Sequence, residues 1–454
     1  MSDFYFSSPQ NDYKKLENSC FEIFCGGDKS ITHRAFMLSA MSAGESLVSN
    51  PSMAKDCAAT AGILKKLGAS FKYDAGRGLM TVKGIGKNNF CEPGGILDCR
   101  NSGTTARLLP GVFAGAPGKA FFLTGDSSLR TRPMKRAVEP LVEMGAKALL
   151  RSDGFLPAAI SWERPRAICF ENIYNSAQIK TSVMLAALSA SGVTSVIEKI
   201  PTRDHTENLF PLFGAAVDIL DLGGGGREIK VKGGLNLSPA NINVPCDPSS
   251  AAYYIMLAGL LSLPGDINVK IRALDVLKNK TRCGFYDCLA LAGFKIKYIA
   301  SKKACCEPAF DIEAAAPASI APLIIDRKET IVSMIDEVPL LALALSLADG
   351  RSEIAGLSEL RLKESDRLKA ISVELNKMGA QIKIKHDSLI IHGVKKLRGA
   401  ALNSHGDHRI AMTLIVAGLA SRENFFVKGC GCVEISNISF FDELRRLGFK
   451  FDIK

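Results

Sequence analysis

Six glycines recur along the chain at intervals of roughly 70 to 85 residues, each at the end of a segment with helical apolar spacing. They are Gly68, Gly145, Gly214, Gly293, Gly379 and Gly448. Glycine suits the position after a helix because that residue often takes a left-handed backbone, which a Cβ makes costly. Alternating apolar and polar residues follow, as in Ser70–Tyr73 and Gln381–Ile384, and predict a strand. The chain is therefore predicted to contain six similar α/β units.

The front of each unit is a polar cluster that precedes an apolar helical segment. The clusters are residues 27–30, 101–104, 175–178, 247–250, 335–338 and 406–409. A turn, a strand, a charged loop and a second helix complete each repeat, so we predict six βαβαββ-like units. Polar residues at such places commonly cap helices and do nothing more, contributing about 1 kcal/mol each. Four clusters also hold a side chain that capping does not need, namely Lys29, Gln178, Glu337 and Arg409. Helix N-termini with added cations form anion sites.

The six units are expected to form two lobes of three. We predict an N-terminal lobe over residues 25–244 and a C-terminal lobe over residues 245–454, to which residues 1–24 return. A glycine-rich stretch at Gly223–Gly226 is predicted to be a hairpin tip, because a phosphate-binding loop would need a lysine and a following helix.

Length and composition limit the class of protein. A chain of 454 residues with 47% hydrophobic content can bury large cores without cross-links. Thirteen cysteines without C-x-x-C spacing predict buried reduced thiols and no zinc site. Apolar runs such as Ala251–Leu263 are short, and the first twenty residues lack the apolar core of a signal peptide. We therefore expect a cytoplasmic protein that does not enter a membrane.

The formal net charge of +11 fits a nucleic acid, a membrane surface or small anionic substrates as partner. Aromatic residues make up only 7%, and no block of five or more Lys and Arg is present. A stacking platform or a polybasic arm is therefore not indicated. Small anionic substrates are therefore the partner that the charge favours, and binding them requires cations at defined positions.

Cationic clusters lie at four places, and each also has a purely structural interpretation. Lys29, Ser30 and Arg34 open a helix and could be a solvated helix end. Residues 129–136 hold four cations in a segment that could simply be an exposed loop. Residues 362–367 alternate charge as a solvated helix face does, although carboxylates among cations also suit proton transfer beside a phosphate. His405 and His408 have a metal-like spacing, but no third ligand is evident and the adjacent arginine would repel a cation, so no metal is expected.

These motifs resemble the 5-enolpyruvylshikimate-3-phosphate synthases from about residue 20 to the end of the sequence. The resemblance is carried by GDKSITHR (27–34), LDCRNSGTTARLL (97–109), LTGDSSLRTRPM (123–134), SAQIK (176–180), TRDHTE (202–207), IDEVPLLALA (335–344), LKESDRL (362–368) and GDHRIAM (406–412). It implies an α/β fold of two lobes, each with three βαβαββ units around an approximate threefold axis, which close on the substrates. It further implies a monomer that needs no cofactor.

The resemblance also assigns substrate contacts, motif by motif. For shikimate 3-phosphate the implied residues are Lys29, Ser30, Arg34, Ser176, Ala177, Gln178, Arg203, Asp336 and Lys363. For phosphoenolpyruvate they are Lys29, Gly103, Arg132, Gln178, Glu364, Arg367, His408 and Arg409. Asp336 would accept the proton of the attacking 5-hydroxyl, and Glu364 with Lys29 would serve protonation at C3 of phosphoenolpyruvate. The addition product would then eliminate phosphate.

The sequence departs from the family pattern at three places. Gly26 and Leu108 each stand where many members have proline, and residues 435–438 stand where many have a lysine that contacts phosphate. The RDHTE, SAQIK and NKTR (279–282) forms resemble the subgroup tolerant to the herbicide glyphosate. Gly103 is instead the small residue that usually admits glyphosate, so the two signals point in opposite directions.

Two other functions compete with this interpretation. The sister enolpyruvyl transferases that act on UDP-N-acetylglucosamine usually begin with a Lys-Asn pair and use a loop cysteine. Here Ser30 follows Lys29, and no cysteine lies between Arg100 and Arg166. A nucleic-acid or polyphosphate binding protein would use the positive charge alone. The carboxylates Asp336 and Glu364 beside the cations would not help such a protein.

Overall fold

The structure is a computed structural model that describes residues 2–7, 13–17, 19–263 and 265–454. The chain forms two compact units. The N-unit consists of Gly27–Pro245 with Cys305–Glu307, and the C-unit consists of the chain up to Gly26 with Cys246–Ala304 and Pro308–Lys454. Of the segment 1–24 that was expected to return to the C-terminal lobe, residues 1, 8–12 and 18 lie outside the described part. Placement of Cys305–Glu307 in the N-unit has no counterpart among the sequence-based expectations.

The described residues form twenty-four short strands. In chain order they are β1 Phe4–Phe6, β2 Cys20–Ile23, β3 Ala43–Ser49, β4 Ser70–Asp74, β5 Leu79–Ile85, β6 Leu97–Asp98, β7 Ala120–Thr124, β8 Ala146–Leu150, β9 Ala158–Trp162, β10 Cys169–Glu171, β11 Val193–Glu198, β12 Val217–Gly223, β13 Gly226–Lys232, β14 Asn241–Asn243, β15 Lys270–Leu277, β16 Lys295–Ala300, β17 Ala309–Ala315, β18 Ile324–Ile325, β19 Arg351–Ile354, β20 Gln381–Lys385, β21 Ser388–His392, β22 Ala401–Asn403, β23 Phe425–Lys428 and β24 Phe451–Ile453.

Thirteen α-helices alternate with these strands in the described residues. They are α1 Lys29–Met41, α2 Lys55–Lys66, α3 Gly103–Val112, α4 Lys135–Glu143, α5 Ala177–Ala187, α6 His205–Leu209, α7 Pro248–Ser262, α8 Gly284–Leu291, α9 Lys328–Met334, α10 Val338–Leu345, α11 Arg367–Lys377, α12 His408–Ser421 and α13 Phe440–Arg446. Short 3-10 turns occur at Tyr13–Leu16, Phe113–Gly115, Leu129–Thr131, Phe210–Phe213, Ser358–Leu362 and Cys430–Ile435.

The strands form six four-stranded sheets with one shared pattern. In each sheet a parallel pair is followed by two antiparallel strands, as in the order β6-β7-β9-β8. Three sheets belong to the N-unit and three to the C-unit. Helices join the parallel strands because a parallel pair needs a long crossover connection. The predicted six βαβαββ units are confirmed.

Three strands, however, pair outside their own repeat. β2 precedes α1 in the chain but pairs in parallel with β15 of the C-unit. β14 precedes α7 but pairs in parallel with β3 of the N-unit. β1 fills the inner place between β23 and β24 in the last sheet. The chain therefore completes its first, fourth and sixth repeats with strands that are distant in sequence.

The six recurring glycines each follow the end of a helix, as predicted. All six recurring glycines have positive φ, from 75° at Gly214 to 109° at Gly68. Residues 224 and 225 form a hairpin turn between β12 and β13, as predicted.

The thirteen cysteines are free thiols, most of them partly or wholly buried. Within the described ranges, none of the helices combines the length and the apolar composition that crossing a bilayer requires.

The helix that follows each polar cluster is largely buried. In the N-unit, α3 contacts both α1 and α5, and Arg34 of α1 bonds to Thr181 of α5. In the C-unit, α7, α10 and α12 contact one another. At five of these six helices the side chain of the residue before the first turn accepts a hydrogen bond from a backbone N–H of that turn. These capping residues are Asp28, Ser102, Ser176, Asp247 and Asp407. Polar side chains of the six sequence clusters therefore lie where these buried helices begin.

Candidate active site

Lys29 and Ser30 lie in the first turn of α1. Asp28 caps the helix through a 2.8 Å bond from the N–H of Ile31. The Lys29 ammonium lies 2.8 Å from Oδ2 of Asp56 at the start of α2, and both side chains are mostly buried. Gly27 is required before this turn, because a Cβ there would meet the carbonyl oxygen of Asn50 at 1.9 Å. The backbone is therefore held close to its neighbours at the point where Lys29 is presented.

Arg34 lies one turn further along α1 and is almost fully buried, at 2% exposure. Its Nε and Nη2 donate to the hydroxyls of Thr206 and Thr181, each at 2.8 Å, and Nη1 donates to the carbonyl of Ser30. Burial lowers the pKa of this guanidinium to about 10, which still leaves it charged at neutral pH. Arg34 thus ties α1 to α5 and α6.

Arg203 lies beside the start of α1, just before α6. Its Nη1 is 3.3 Å from Oγ of Ser30. Arg203 and Ser30 were predicted to contact the same substrate, and the structure places them together. Arg's planar fork suits phosphate and carboxylate, so this pair forms a possible anion contact next to Lys29.

Gln178 joins the beginnings of α5 and α3. Its Oε1 accepts from Nη1 of Arg107 at 2.9 Å, and its Nε2 donates to Oγ1 of Thr104 at 3.0 Å. Ser176 caps α5 through the N–H of Ile179, so Ala177 begins the helix with its backbone near the same place. Arg107 was not among the predicted site residues. It lies four residues after Gly103, one helical turn away on the same face, and that spacing could have identified it.

Gly103 begins α3 beneath two guanidinium groups. A Cβ on Gly103 would lie 2.9 Å from Nη1 of Arg107 and 3.4 Å from Nη1 of Arg132. Arg132 is 5% exposed and donates from Nη2 to the side chains of Asn101 and Ser128, at 2.9 and 3.0 Å. Two arginines at a helix N-terminus make a strongly positive place for an anion. The absence of a side chain at Gly103 keeps the approach to that place open.

Arg367 is the centre of the charged cluster in the C-unit. Its Nη1, Nη2 and Nε lie 3.1 Å from Asp336, 2.5 Å from Glu364 and 2.8 Å from Asp407. The Lys363 ammonium is 3.3 Å from the same Asp336 oxygen. Burial alone would lower the pKa of Arg367, but the three carboxylates outweigh it and raise that pKa well above its usual value. The geometry brings together four predicted residues and adds Asp407, which sequence reasoning treated only as part of a helix opening.

Arg409 and His408 begin α12 and are both nearly buried. Nη1 of Arg409 lies 3.3 Å from Oε1 of Glu337, the residue that precedes α10. Burial raises the pKa of Glu337, and Arg409 partly opposes this. Glu337 therefore reaches the predicted phosphoenolpyruvate residue Arg409, while its neighbour Asp336 reaches Arg367.

Potential metal ligands occur at two places in the described residues. His405 bonds through Nε2 to Glu374 at 2.9 Å, and His408 is nearly buried at the start of α12. Asp204, His205 and Glu307 place possible ligand atoms within 4.8 Å of one another. His205 Nδ1 and Glu307 Oε1 are 2.7 Å apart, and Arg227 lies 3.8 Å from Asp204. These distances are those of a hydrogen bond and an ion pair.

Comparison with known proteins gives one consistent result. The chain matches the family model described as EPSP synthase (3-phosphoshikimate 1-carboxyvinyltransferase) over residues 20–444. It is 40% identical over 437 residues to the 3-phosphoshikimate 1-carboxyvinyltransferase of Aquifex aeolicus (strain VF5), with 96% of this chain and 98% of that protein covered. It is 40% identical over 427 residues to the protein of that name from Desulfitobacterium hafniense (strain DSM 10664 / DCB-2), covering 94% and 95%.

Solved structures give the same fold. The EPSP synthase of Acinetobacter baumannii aligns over 100% of both chains with a TM-score of 0.83 and 30% identity. The enolpyruvyl transferase NikO of Streptomyces tendae aligns over 100% of this chain and 99% of that chain, with a TM-score of 0.76 and 15% identity, and so supports the fold alone. The fold is that of the enolpyruvyl transferases.

Proposed function

Because the chain belongs to the EPSP synthase family, we propose that it transfers the enolpyruvyl group of phosphoenolpyruvate to the 5-hydroxyl of shikimate 3-phosphate and releases phosphate. This is a step of the shikimate pathway toward the aromatic amino acids. The observation that carries the proposal is the C-unit cluster, where Asp336 and Glu364 are held by one buried guanidinium beside Lys363. Such a cluster supplies carboxylates for proton transfer next to cations that can hold a phosphorylated substrate.

For shikimate 3-phosphate, the proposal uses two groups of residues. In the N-unit they are Lys29, Ser30, Arg34, Ser176, Ala177, Gln178 and Arg203, and in the C-unit they are Asp336 and Lys363. The contact between Arg203 and Ser30 supports the first group, because it concentrates donors at the start of α1. Arg34 acts there mainly by fixing α1 against α5 and α6, since each of its nitrogens donates to a protein oxygen.

For phosphoenolpyruvate, the proposal uses the arginine-rich helix starts. The residues are Lys29, Gly103, Arg132 and Gln178 in the N-unit and Glu364, Arg367, His408 and Arg409 in the C-unit. Arg107 joins them, because it holds Gln178 and flanks Gly103. Guanidinium groups fixed by protein contacts stabilise a carboxylate and a leaving phosphate without rearranging during the reaction.

The proposed chemistry is an addition followed by an elimination. The 5-oxygen forms a bond to C2 of phosphoenolpyruvate, Asp336 accepts the hydroxyl proton, and C3 gains a proton from Glu364 assisted by Lys29. In the second step C3 returns a proton to Glu364, the bond between C2 and the phosphate oxygen breaks, and the double bond reforms. Phosphate leaves with the electron pair and takes up the proton held by Asp336, so both carboxyl groups return to their starting state and no atom changes oxidation state overall. The reaction as proposed requires no cofactor.

The decisive test measures phosphate release by the purified protein. With both shikimate 3-phosphate and phosphoenolpyruvate we expect steady release, and with either one omitted we expect none. A parallel series replaces shikimate 3-phosphate with UDP-N-acetylglucosamine. The proposal would be overturned if phosphate were released with UDP-N-acetylglucosamine but not with shikimate 3-phosphate, or with neither of the two acceptors. A further series measures phosphate release in the presence of glyphosate. Inhibition is expected from Gly103, whereas resistance is expected from the RDHTE and SAQIK forms.

We further propose that the protein is cytoplasmic and acts as a monomer, as the family resemblance implies. Light scattering after size exclusion should give a mass near 48.7 kDa. A mass of twice that value would contradict the monomer, and recovery of activity in a membrane fraction would contradict the location.

A further inference from the structure

Lys180 and Glu207 belong to the SAQIK and TRDHTE motifs, yet neither is assigned to a substrate. Both side chains are fully buried, and the Lys180 ammonium lies 2.7 Å from Oε1 of Glu207. The same ammonium lies 3.0 Å from Oε2 of Glu198, at the end of β11. An ammonium between two carboxylates inside a protein is costly to desolvate, so its presence calls for an explanation beyond packing.

Arg227 at the start of β13 closes the network. Its guanidinium contacts Glu198 at 2.8 Å and Glu207 at 3.3 Å. Burial would raise the pKa of Glu198, but Lys180 and Arg227 outweigh it, and that pKa is lowered. Two cations thus face two carboxylates, and the buried charge is balanced.

The network holds the backbone next to Arg203. Nη2 of Arg227 donates to the carbonyl of Thr202 at 2.8 Å, and the Thr202 hydroxyl donates to Glu198. At the other end of the segment, the hydroxyl of Thr206 bonds to Thr181 at 2.7 Å. The segment that presents Arg203 is therefore fixed on both sides.

The network also reaches the start of α5. Asn172 donates from Nδ2 to Glu198 at 3.1 Å and to the carbonyl of Ser176 at 3.3 Å. The N–H of Ser176 donates back to Oδ1 of Asn172 at 3.3 Å. One set of buried charges therefore holds both Ser176 and Arg203, two residues assigned to the same substrate.

We propose that Lys180, Glu198, Glu207 and Arg227 are positioning residues that set the geometry between the 202–207 segment and the start of α5, and so determine affinity for shikimate 3-phosphate. This inference rests on the proposed function, because it concerns the subsite assigned there. It predicts that loosening the network weakens that substrate selectively. Of the residues assigned to phosphoenolpyruvate, Gln178 also lies at the start of α5, but its side chain is held separately by Arg107 and Thr104. The network does not contact Gly103, Arg132 or the C-unit arginines, so most of that subsite is independent of it.

The test compares Arg227→Ala, Arg227→Lys and Glu198→Gln with the unaltered enzyme. Displacing a positioning residue by about 1 Å can cost up to a hundredfold, so we expect Arg227→Ala to raise the KM for shikimate 3-phosphate at least about tenfold. The KM for phosphoenolpyruvate should stay within about twofold, and Arg227→Lys should give an intermediate value. Calorimetric titration with shikimate 3-phosphate alone should show the same order of affinities. Arg227 keeps 12% side-chain exposure, so its variants should fold even if Glu198→Gln does not.

Lys87→Met is the matched control. Lys87 is a nearly buried ammonium of the same unit that bonds to the carbonyls of Leu188 and Leu235, both at 2.6 Å, and is not assigned to either substrate. We expect it to lower the Tm and to leave both KM values unchanged. If Arg227→Ala lowers only the Tm, or raises both KM values to the same extent, the inference is wrong and the network is structural. If the unaltered enzyme neither turns over nor binds shikimate 3-phosphate, it is the proposed function that fails.

Discussion

Asp336, Glu364 and Asp407 share the guanidinium of Arg367, but only Asp336 and Glu364 are proposed to exchange a proton with substrate. Asp407 is fully buried and caps α12, so its role is to fix the arginine. Asp336 and Glu364 retain partial exposure of their side chains, each at 16%. This difference in exposure separates carboxylates that can reach a substrate from one that cannot.

Replacing Asp336 with alanine should lower kcat by about a hundredfold or more, which is the typical loss when a general base is removed. The fold should persist, because Arg367 keeps two carboxylate partners. Steady-state phosphate release measures the effect. Asp326→Ala, at an exposed position of the same unit, is the control and should leave kcat unchanged. An Asp336→Ala enzyme with normal turnover would contradict the assignment.

Glu337 gives a prediction about pH. Its pKa is raised by burial, so the folded state favours the protonated form relative to the unfolded state. Stability from this group is present below the ordinary pKa and is lost as the pH rises through the raised one. Glu337→Gln removes that titration, so the Tm of the variant minus that of the unaltered protein should become more positive between about pH 4.5 and 7.5. Thermal unfolding at both pH values measures this, and a difference that is constant or reversed would contradict it.

At the scale of single residues, the sequence predicted which residues belong to the site better than it predicted the contacts they make. Asp336, Lys363, Glu364 and Arg367 could be grouped because they lie close in two motifs. Arg107 was missed, although its place one helical turn after Gly103 could have identified it; its bond to Gln178 depends on how α5 packs and could not be predicted. Arg34 is predicted to contact substrate, and in the structure it also bonds to α5 and α6, contacts that spacing within α1 could not reveal.

Helix ends illustrate what is predictable at the scale of elements. The recurring glycines identified all six C-terminal ends because one local requirement, a positive φ, recurs in every unit. Strand pairing is different. Residues 1–24 were predicted to return to the C-terminal lobe, which takes β2 out of its own repeat, but β2 and β14 are only four and three residues long and carry no signal for which strand each pairs with. Their partners are fixed by how whole repeats pack, which local patterns do not encode.

Gly379→Ala tests the helix-end requirement without a steric effect. The backbone there has φ of 92°, and a Cβ added at this residue would have no atom within 4 Å. We therefore expect the free energy of unfolding to fall by about 1–2 kcal/mol because of the left-handed conformation alone. Gly62→Ala is the matched control. It lies inside α2 with equally open space and ordinary helical φ, so it should stabilise the protein by about 0.5–1 kcal/mol. Urea unfolding measures both, and equal signs for the two variants would contradict the prediction.

At the scale of the whole molecule, β1 joins the two ends of the described chain in one sheet. Phe4 is fully buried and stacks on Phe425, Phe441 and Phe451, with ring centroids 4.6 to 6.0 Å apart. Tyr5 points to the other face and is 38% exposed. The C-unit therefore depends on a strand that the chain contributes from far away.

Phe4→Ala should reduce the free energy of unfolding by about 3–5 kcal/mol, because it leaves a cavity among three rings. Tyr5→Ala, on the same strand, should cost much less, since its ring is already partly in water. Chemical denaturation followed by circular dichroism measures both. Similar losses for the two variants would contradict the burial of Phe4 in the last sheet.

The place of β1 also has a consequence for synthesis. Asp3 accepts from the N–H of Gly429 across 426 positions of sequence. At about 5–20 residues per second, a ribosome needs roughly 20 to 90 seconds to make the intervening chain. Throughout that time Phe4 and Phe6 have no sheet to enter, and unpaired apolar strands of this kind attract chaperones and aggregate when left alone. The strand made earliest among the described residues is thus among the last to reach its native neighbours, so conditions during translation should govern the yield of the C-unit more than that of the N-unit.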